Sequence, residues 1–154
     1  MAQTFQGLAD RIAQMRMQAQ ERLPEVLDAI GAEIEKDAKD EIGTYQRENM
    51  GELRPWDELT KGTQADRVRA GFSPNDPLLR SGTMRDSITH TVEGNRVVIG
   101  SDDPIALYQE LGTRGPGVGS SGYHVPPRPF LATAAYRNRD RIVEAVLKVF
   151  EPKP

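Results

Sequence analysis

The sequence predicts an α+β fold: one domain whose long N-terminal and C-terminal helices pack on a small antiparallel sheet, with long loops between. Three observations carry this. Apolar residues recur at helical spacing near both ends of the chain, and a single hairpin signature at about 88–100 lies between them. Helices segregated from strands in this way indicate α+β rather than alternating α/β. The length, 154 residues, suits one domain with a real core and is short for two.

The elements follow in order. Phe5, Leu8, Ile12, Met15 and Ala19 recur at 3,4 spacing and predict an amphipathic helix. Pro24 interrupts the pattern and suits the first position of a second helix, which carries Val26, Leu27, Ile30, Ile34, Ala38 and Ile42. Its other faces hold acids and lysines of alternating sign, which read as solvated surface. From Gly43 to Pro77 the pattern dissolves into a long excursion that holds the only tryptophan, Trp56. One short helix is expected there at about 63–70, with Thr63 and Asp66 as a start box and Gly71 past its end. A loop this long is functional or becomes ordered by a partner. Trp56 reads as the buried anchor that pins it, with an interface position as the alternative. After Leu78 and Leu79, RSGTMRDSI predicts a short helix or turn.

THTVEGNRVVIGS then reads as a hairpin around a Gly94–Asn95 two-residue turn. That register pairs Val92 with Val97, His90 with Ile99 and Glu93 with Arg96, and puts Ile88, His90, Val92, Val97 and Ile99 on the core face. In SDDPIALYQELGT, Asp103 is the expected N-cap, Pro104 the first helical residue and Gly112 the terminator. The glycine-rich stretch TRGPGVGSSGY follows, then HVPPRPFLATAA. Pro126, Pro127 and Pro129 fix φ and hold their neighbours extended, making a stiff strap. A C-terminal helix is expected from about Pro127 to Phe150, with Leu131, Ala135, Ile142, Val143, Val146, Leu147 and Phe150 as its stripe. The plan is thus one domain over 1–154. It comprises N-terminal helices (1–46), the excursion (47–77), hairpin and short helices (78–112), a glycine-rich arm (113–126) and the C-terminal helix (127–150).

Composition bounds the chemistry. Apolar residues are 37%, charged residues 28% and the net charge −3, so a lean core and much partner-facing surface are expected. Whole-molecule attraction to nucleic acid is not expected at this charge. There is no cysteine, which excludes disulfides and thiolate sites and fits a reducing compartment. No apolar run reaches the ~18 residues of a membrane span, and the amphipathic start lacks a signal peptide's apolar segment; a cytoplasmic site of synthesis is expected. The two histidines, His90 and His124, show no metal-ligand spacing. His90 reads as a half-buried structural residue and His124 as a surface contact. Ser81, Ser120 and Ser121 lack the nucleophile-elbow pattern, and GTRGPGVGSSG does not match a phosphate loop. No catalytic residue, cofactor or metal is assigned.

What remains is presentation. The strap and the capped helix before it hold an arm whose glycines reach conformations closed to other residues. A contact with another subunit or a partner protein is expected at Trp56, Arg114, Gly115, Gly117, Gly119, Tyr123, His124, Arg128 and Phe130. Within the strap, Phe130 should bury against the domain and Arg128 should reach a carboxylate or carbonyl. The second half also carries Arg67, Arg69, Arg80, Arg85, Arg137, Arg139 and Arg141, for which the acidic second helix offers mates on the same or a neighbouring chain.

WDELTKGT, LLRSGTMRDSI, VVIGS, YQELGT and PPRPFL, in this order from Trp56 to about Ala135, resemble the tail-completion or virion-morphogenesis family of tailed phages. One departure is Leu111 in YQELGT, where relatives commonly carry an aromatic; the loop after Gly112 is also long. The resemblance implies a non-enzymatic virion protein of the neck, made in the host bacterial cytoplasm. It would complete or terminate the tail and join it to the filled head. It further implies a homo-oligomeric ring, typically of six copies, contacting neck, connector and tail tube proteins. Phage DNA would cross its lumen without sequence-specific binding, and no membrane is involved. A head-closure stopper, a tail assembly chaperone absent from the virion, and a small nucleic-acid-binding module using the arginines are the alternatives.

Overall fold

The computed structural model describes residues 5–113 and 125–151. Helix α1 (Phe5–Glu41) is the spine. It is followed by α2 (Lys61–Arg69), α3 (Thr83–Asp86), the hairpin β1 (Ile88–Glu93) and β2 (Arg96–Ser101), α4 (Pro104–Leu111), α5 (Leu131–Arg137) and α6 (Arg139–Val149). The fold is α+β as expected: α1 packs against the two-stranded antiparallel sheet and also against the C-terminal helices α5 and α6.

Two expected N-terminal helices are one. Pro24 lies inside α1, where its ring removes one backbone donor and strains the turn before it. The helix survives because Pro24 sits on the exposed side, while Ala19, Leu27, Ile30, Ile34 and Ala38 bury a continuous face. Burial of that face outweighs a local penalty of about 3 kcal/mol.

The hairpin forms in the predicted register, with Val92 opposite Val97, His90 opposite Ile99 and Glu93 opposite Arg96. Burial alternates along β1, with Ile88 fully buried and His90 and Val92 half-buried. The sheet lies unusually close to α1. A Cβ built on Gly31 would stand 2.5 Å from His90 Cδ2 and 2.8 Å from Val97 Cγ2, so glycine sets the height of the hairpin over the helix.

The excursion is tied down more than its composition implies. Trp56 is 2% exposed and belongs to the core with Ile42, Met84, Ile88, Ala106, Phe130 and Ala134. Its amide donates to Gln46 O at 2.9 Å. Tyr45 Oη accepts from Leu59 N and donates to Asn75 Oδ1. Helix α2 starts two residues earlier than expected, because Thr60 rather than Thr63 is its N-cap; Thr60 Oγ1 accepts from Thr63 N at 3.2 Å. Its end is as read: Gly71 takes φ +79°, and the bonds Gly71 N to Val68 O and Phe72 N to Arg67 O form a Schellman closure.

The C-terminal helix departs from expectation in two ways. It begins at Leu131, not Pro127, because the prolines keep the strap extended. It is also divided at Asn138, a buried residue whose Nδ2 donates to Asp37 Oδ2 (2.7 Å) and Ala134 O (3.0 Å). The buried stripe runs at helical spacing through that interruption: Leu131, Ile142 and Val146 face the core as read, joined by Ala134, Asn138 and Val149, whereas Ala135, Val143, Leu147 and Phe150 are exposed.

Candidate functional site

Three of the segments that carried the resemblance, WDELTKGT, YQELGT and PPRPFL, meet at one junction beyond the C-terminal end of α1. Helix α4 is built as read: Asp103 Oδ1 accepts from Ile105 N at 2.9 Å, Pro104 opens the helix and Gly112 ends it with φ +72°. A side chain at Gly112 would collide with the strap, its Cβ lying 2.8 Å from Val125 O and 2.9 Å from Pro127 N. Strap and helix end are therefore in backbone contact. Arg128 N donates to Gln109 O at 2.7 Å, and Thr113 N to Val125 O at 2.9 Å. Val125 N returns a bond to Thr113 Oγ1 at 3.0 Å.

Glu110 closes the junction. Its carboxylate accepts from three successive amides, Phe130 N (2.8 Å), Leu131 N (3.0 Å) and Ala132 N (2.9 Å). These are orphan donors at the start of α5, which has no side-chain cap of its own. A negative group there also opposes the positive end of the helix dipole. Sequence reasoning missed Glu110, because a cap is sought just before its helix in sequence. The available signal was that YQELGT and PPRPFL are neighbours among the segments that carried the resemblance.

The strap residues behave as predicted within the chain. Phe130 is fully buried in the core. Arg128 is buried too, and its Nη2 donates to Asp57 O at 2.9 Å, joining PPRPFL to WDEL. Burial pushes the Arg128 pKa down from its usual value. Ser87 of RDSI and Ser101 of VVIGS bond through their hydroxyls at 2.6 Å, so those two segments also meet. Of the residues expected at a subunit or tail contact, Trp56, Arg128 and Phe130 thus line the interior of the protomer. Arg114, Gly115, Gly117, Gly119, Tyr123 and His124 lie outside the described residues.

The arginines are matched within the chain. Arg137 pairs with the buried Glu41, and Arg141 with Glu33, so the acidic part of α1 supplies mates as expected. Desolvation raises the Glu41 pKa, with Arg137 acting against it. Arg69 and Arg80 share Asp66, Arg85 pairs with Asp86 and Arg139 with Asp140. Arg67 is buried and holds Ser73 O and Leu79 O. His90, half-buried as read, bridges Glu35 (2.6 Å) and Asp28 (3.3 Å), and chiefly the Glu35 hydrogen bond raises its pKa.

Among the described residues no three His, Cys, Asp or Glu side chains gather as a metal-binding group. No described helix is long and apolar enough to cross a membrane. An open groove lined by Asp37, Asp40, Glu41, Tyr45 and Arg137 runs along the α1–α5 seam, its charges already committed to ion pairs. No curated protein and no solved structure gives a significant match to the chain. The sequence model of the phage virion morphogenesis family matches residues 3–151. With nearly the whole chain covered, the protein belongs to the phage virion morphogenesis family and serves in assembly of the virion.

Proposed function

We propose that the protein is a neck component of a tailed phage, completing or terminating the tail and joining it to the DNA-filled head as one subunit of a homo-oligomeric ring. The observation that carries this reading is the clamped base of the arm. Thr113 and Val125 are bonded to each other, Gly112 lies against the strap, and Glu110 fixes the start of α5. A frame of this kind fixes where the intervening segment leaves and re-enters the domain, which limits the entropy lost on docking. Arg114, Gly115, Gly117, Gly119, Tyr123 and His124 make the contact with the next subunit or the tail, while Trp56, Arg128 and Phe130 hold the frame from inside. A ring of six copies around the DNA channel, bordered by connector and tail tube proteins, accommodates this arrangement. Arg69, Arg80, Arg85, Arg96, Arg137, Arg139 and Arg141 are held in ion pairs, which suits DNA passing without sequence-specific binding.

Replacing Gly115–Ser121 by a short linker should leave monomer stability unchanged and abolish head–tail joining. Infectious particles carrying that replacement would refute the reading. An averaged electron-microscopy map of the neck gives ring order and neighbours directly. Mass spectrometry of purified virions separates a neck component, which is present, from an assembly chaperone, which is not.

A further inference from the structure

Two apolar surfaces are left uncovered by the described residues, and they lie at opposite ends of the chain. The first is the start of α1. Every residue from Phe5 to Gln18 is exposed, and Ala19 is the first to be buried, so about 21 Å of helix stands clear of the domain. Behind it, Arg22 Nη1 donates to Val149 O and Glu151 O, at and just past the end of α6. Along this overhang Phe5, Leu8, Ile12 and Met15 form one seam, with Phe5 94% exposed. Ile12 and Ile30 are about five turns apart, so the seam continues the face that carries the core further along. A helix of this length gains little stability in water without packing.

The second surface is α4. Ile105, Leu107, Tyr108 and Leu111 are all exposed on its two turns, Leu111 at 70%. Its place in the fold follows from a chain of bonds. Gln109 O holds Arg128 N, Arg128 reaches Asp57 O, and Trp56 N binds Gln46 O, beyond the C-terminal end of α1. The overhang is at the other end of that helix.

The charges are complementary. The overhang carries Arg11 and Arg16 against Asp10, a net +1, and neither arginine has an ion pair among the described residues. The stretch Ser101–Gly112 carries Asp102, Asp103 and Glu110 and no cation, a net −3. We infer that the overhang of one copy seats on α4 of the next, apolar seam against apolar patch, with Arg11 and Arg16 beside Asp102 and Asp103. Such a contact joins unlike surfaces and propagates from copy to copy, closing into a ring where the rotation allows. Pairing of two overhangs would instead leave every α4 bare. The inference rests on the ring reading above for closure, and on the two patches for the contact itself.

The test uses the full chain and sedimentation velocity. Leu8→Lys with Ile12→Lys disables the overhang, and Leu107→Lys with Leu111→Lys disables α4; all four positions are exposed, so melting temperatures should hold. Wild type is expected to oligomerise and each variant to be monomeric. An equimolar mixture of the two variants should form a 1:1 heterodimer that grows no further, because it contains one intact pair of surfaces. As a second readout, Arg11→Glu with Arg16→Glu should weaken self-association at least about tenfold, with a steep salt dependence in wild type. An α4 variant that still dimerises, a mixture that stays monomeric, or a wild-type chain that is monomeric at high concentration would overturn the contact. A neck map showing a ring in which residues 5–18 avoid the next copy's α4 would overturn it too, yet leave the ring reading standing. A neck without a ring would overturn the ring reading separately.

Discussion

Removing the Glu110 carboxylate should uncouple α4 from α5 without disturbing the core. Glu110→Ala frees three amides at the start of α5, now held at 2.8–3.0 Å. Hydrogen bonds to a charged group contribute about 1.5–3 kcal/mol each when isolated. The three share one carboxylate at a partly solvated helix end, where water can replace part of the set. Loss of an ordinary N-cap costs about 0.5–2 kcal/mol, and the charge and the cross-helix tie place this one above that range. The expected loss is about 2–3 kcal/mol, or about 4–12 °C in Tm for a chain of this size. Urea denaturation read by far-UV circular dichroism measures it, with an unchanged m value showing that the same surface is exposed on unfolding. Glu110→Gln should fall between, since the amide keeps one acceptor and turns two donors toward other donors. A Glu110→Ala chain within about 0.5 kcal/mol of wild type would refute the idea that this carboxylate organises the junction.

Three further outcomes are expected. Gly31→Ala should destabilise by about 1–2 kcal/mol, because forcing the hairpin away from α1 outweighs the helix-propensity gain of about 1 kcal/mol; a raised Tm would show that the sheet shifts freely. The His90 pKa is raised and the Glu35 pKa lowered. Their mutual stabilisation is therefore complete only between the unfolded values, about 4.5 and 6.5. It fades as pH rises through the folded histidine pKa or falls below the unfolded Glu35 value. The folded state should be more stable near pH 5.5 than near pH 8.5 by an increment that His90→Gln abolishes, and an equal increment in that variant would exclude the pair as its source. Trp56→Ala should cost about 3–5 kcal/mol, measured by denaturant titration; wild-type stability with failed assembly would move Trp56 from core to interface.

What the sequence revealed was local. The Gly94–Asn95 turn and period-2 alternation determined the hairpin register, and Asp103, Pro104 and Gly112 bounded α4. Competition between a local penalty and distant packing was not legible: Pro24 reads as a break, and only the buried face of α1 overrides it. Nor was the interruption at Asn138, whose side chain is held by Asp37, far away in sequence. At the candidate site the strap residues Arg128 and Phe130 were readable from proline stiffness and apolar pattern. Glu110 was not, because its three partners are about twenty residues downstream.

The bonds between Thr113 and Val125 make the domain indifferent to what lies between them. Once both ends are fixed, the closure cost of a connecting segment grows only with the logarithm of its length, about 0.6 kcal/mol per doubling. Insertions, deletions or wholesale replacement there are thus insulated from folding, and the segment can diverge at a pace the core cannot follow. On the neck reading proposed above, that makes the segment a replaceable adaptor on an unchanged frame. The same insulation makes the site a natural place to insert a label or a binding peptide without redesigning the rest.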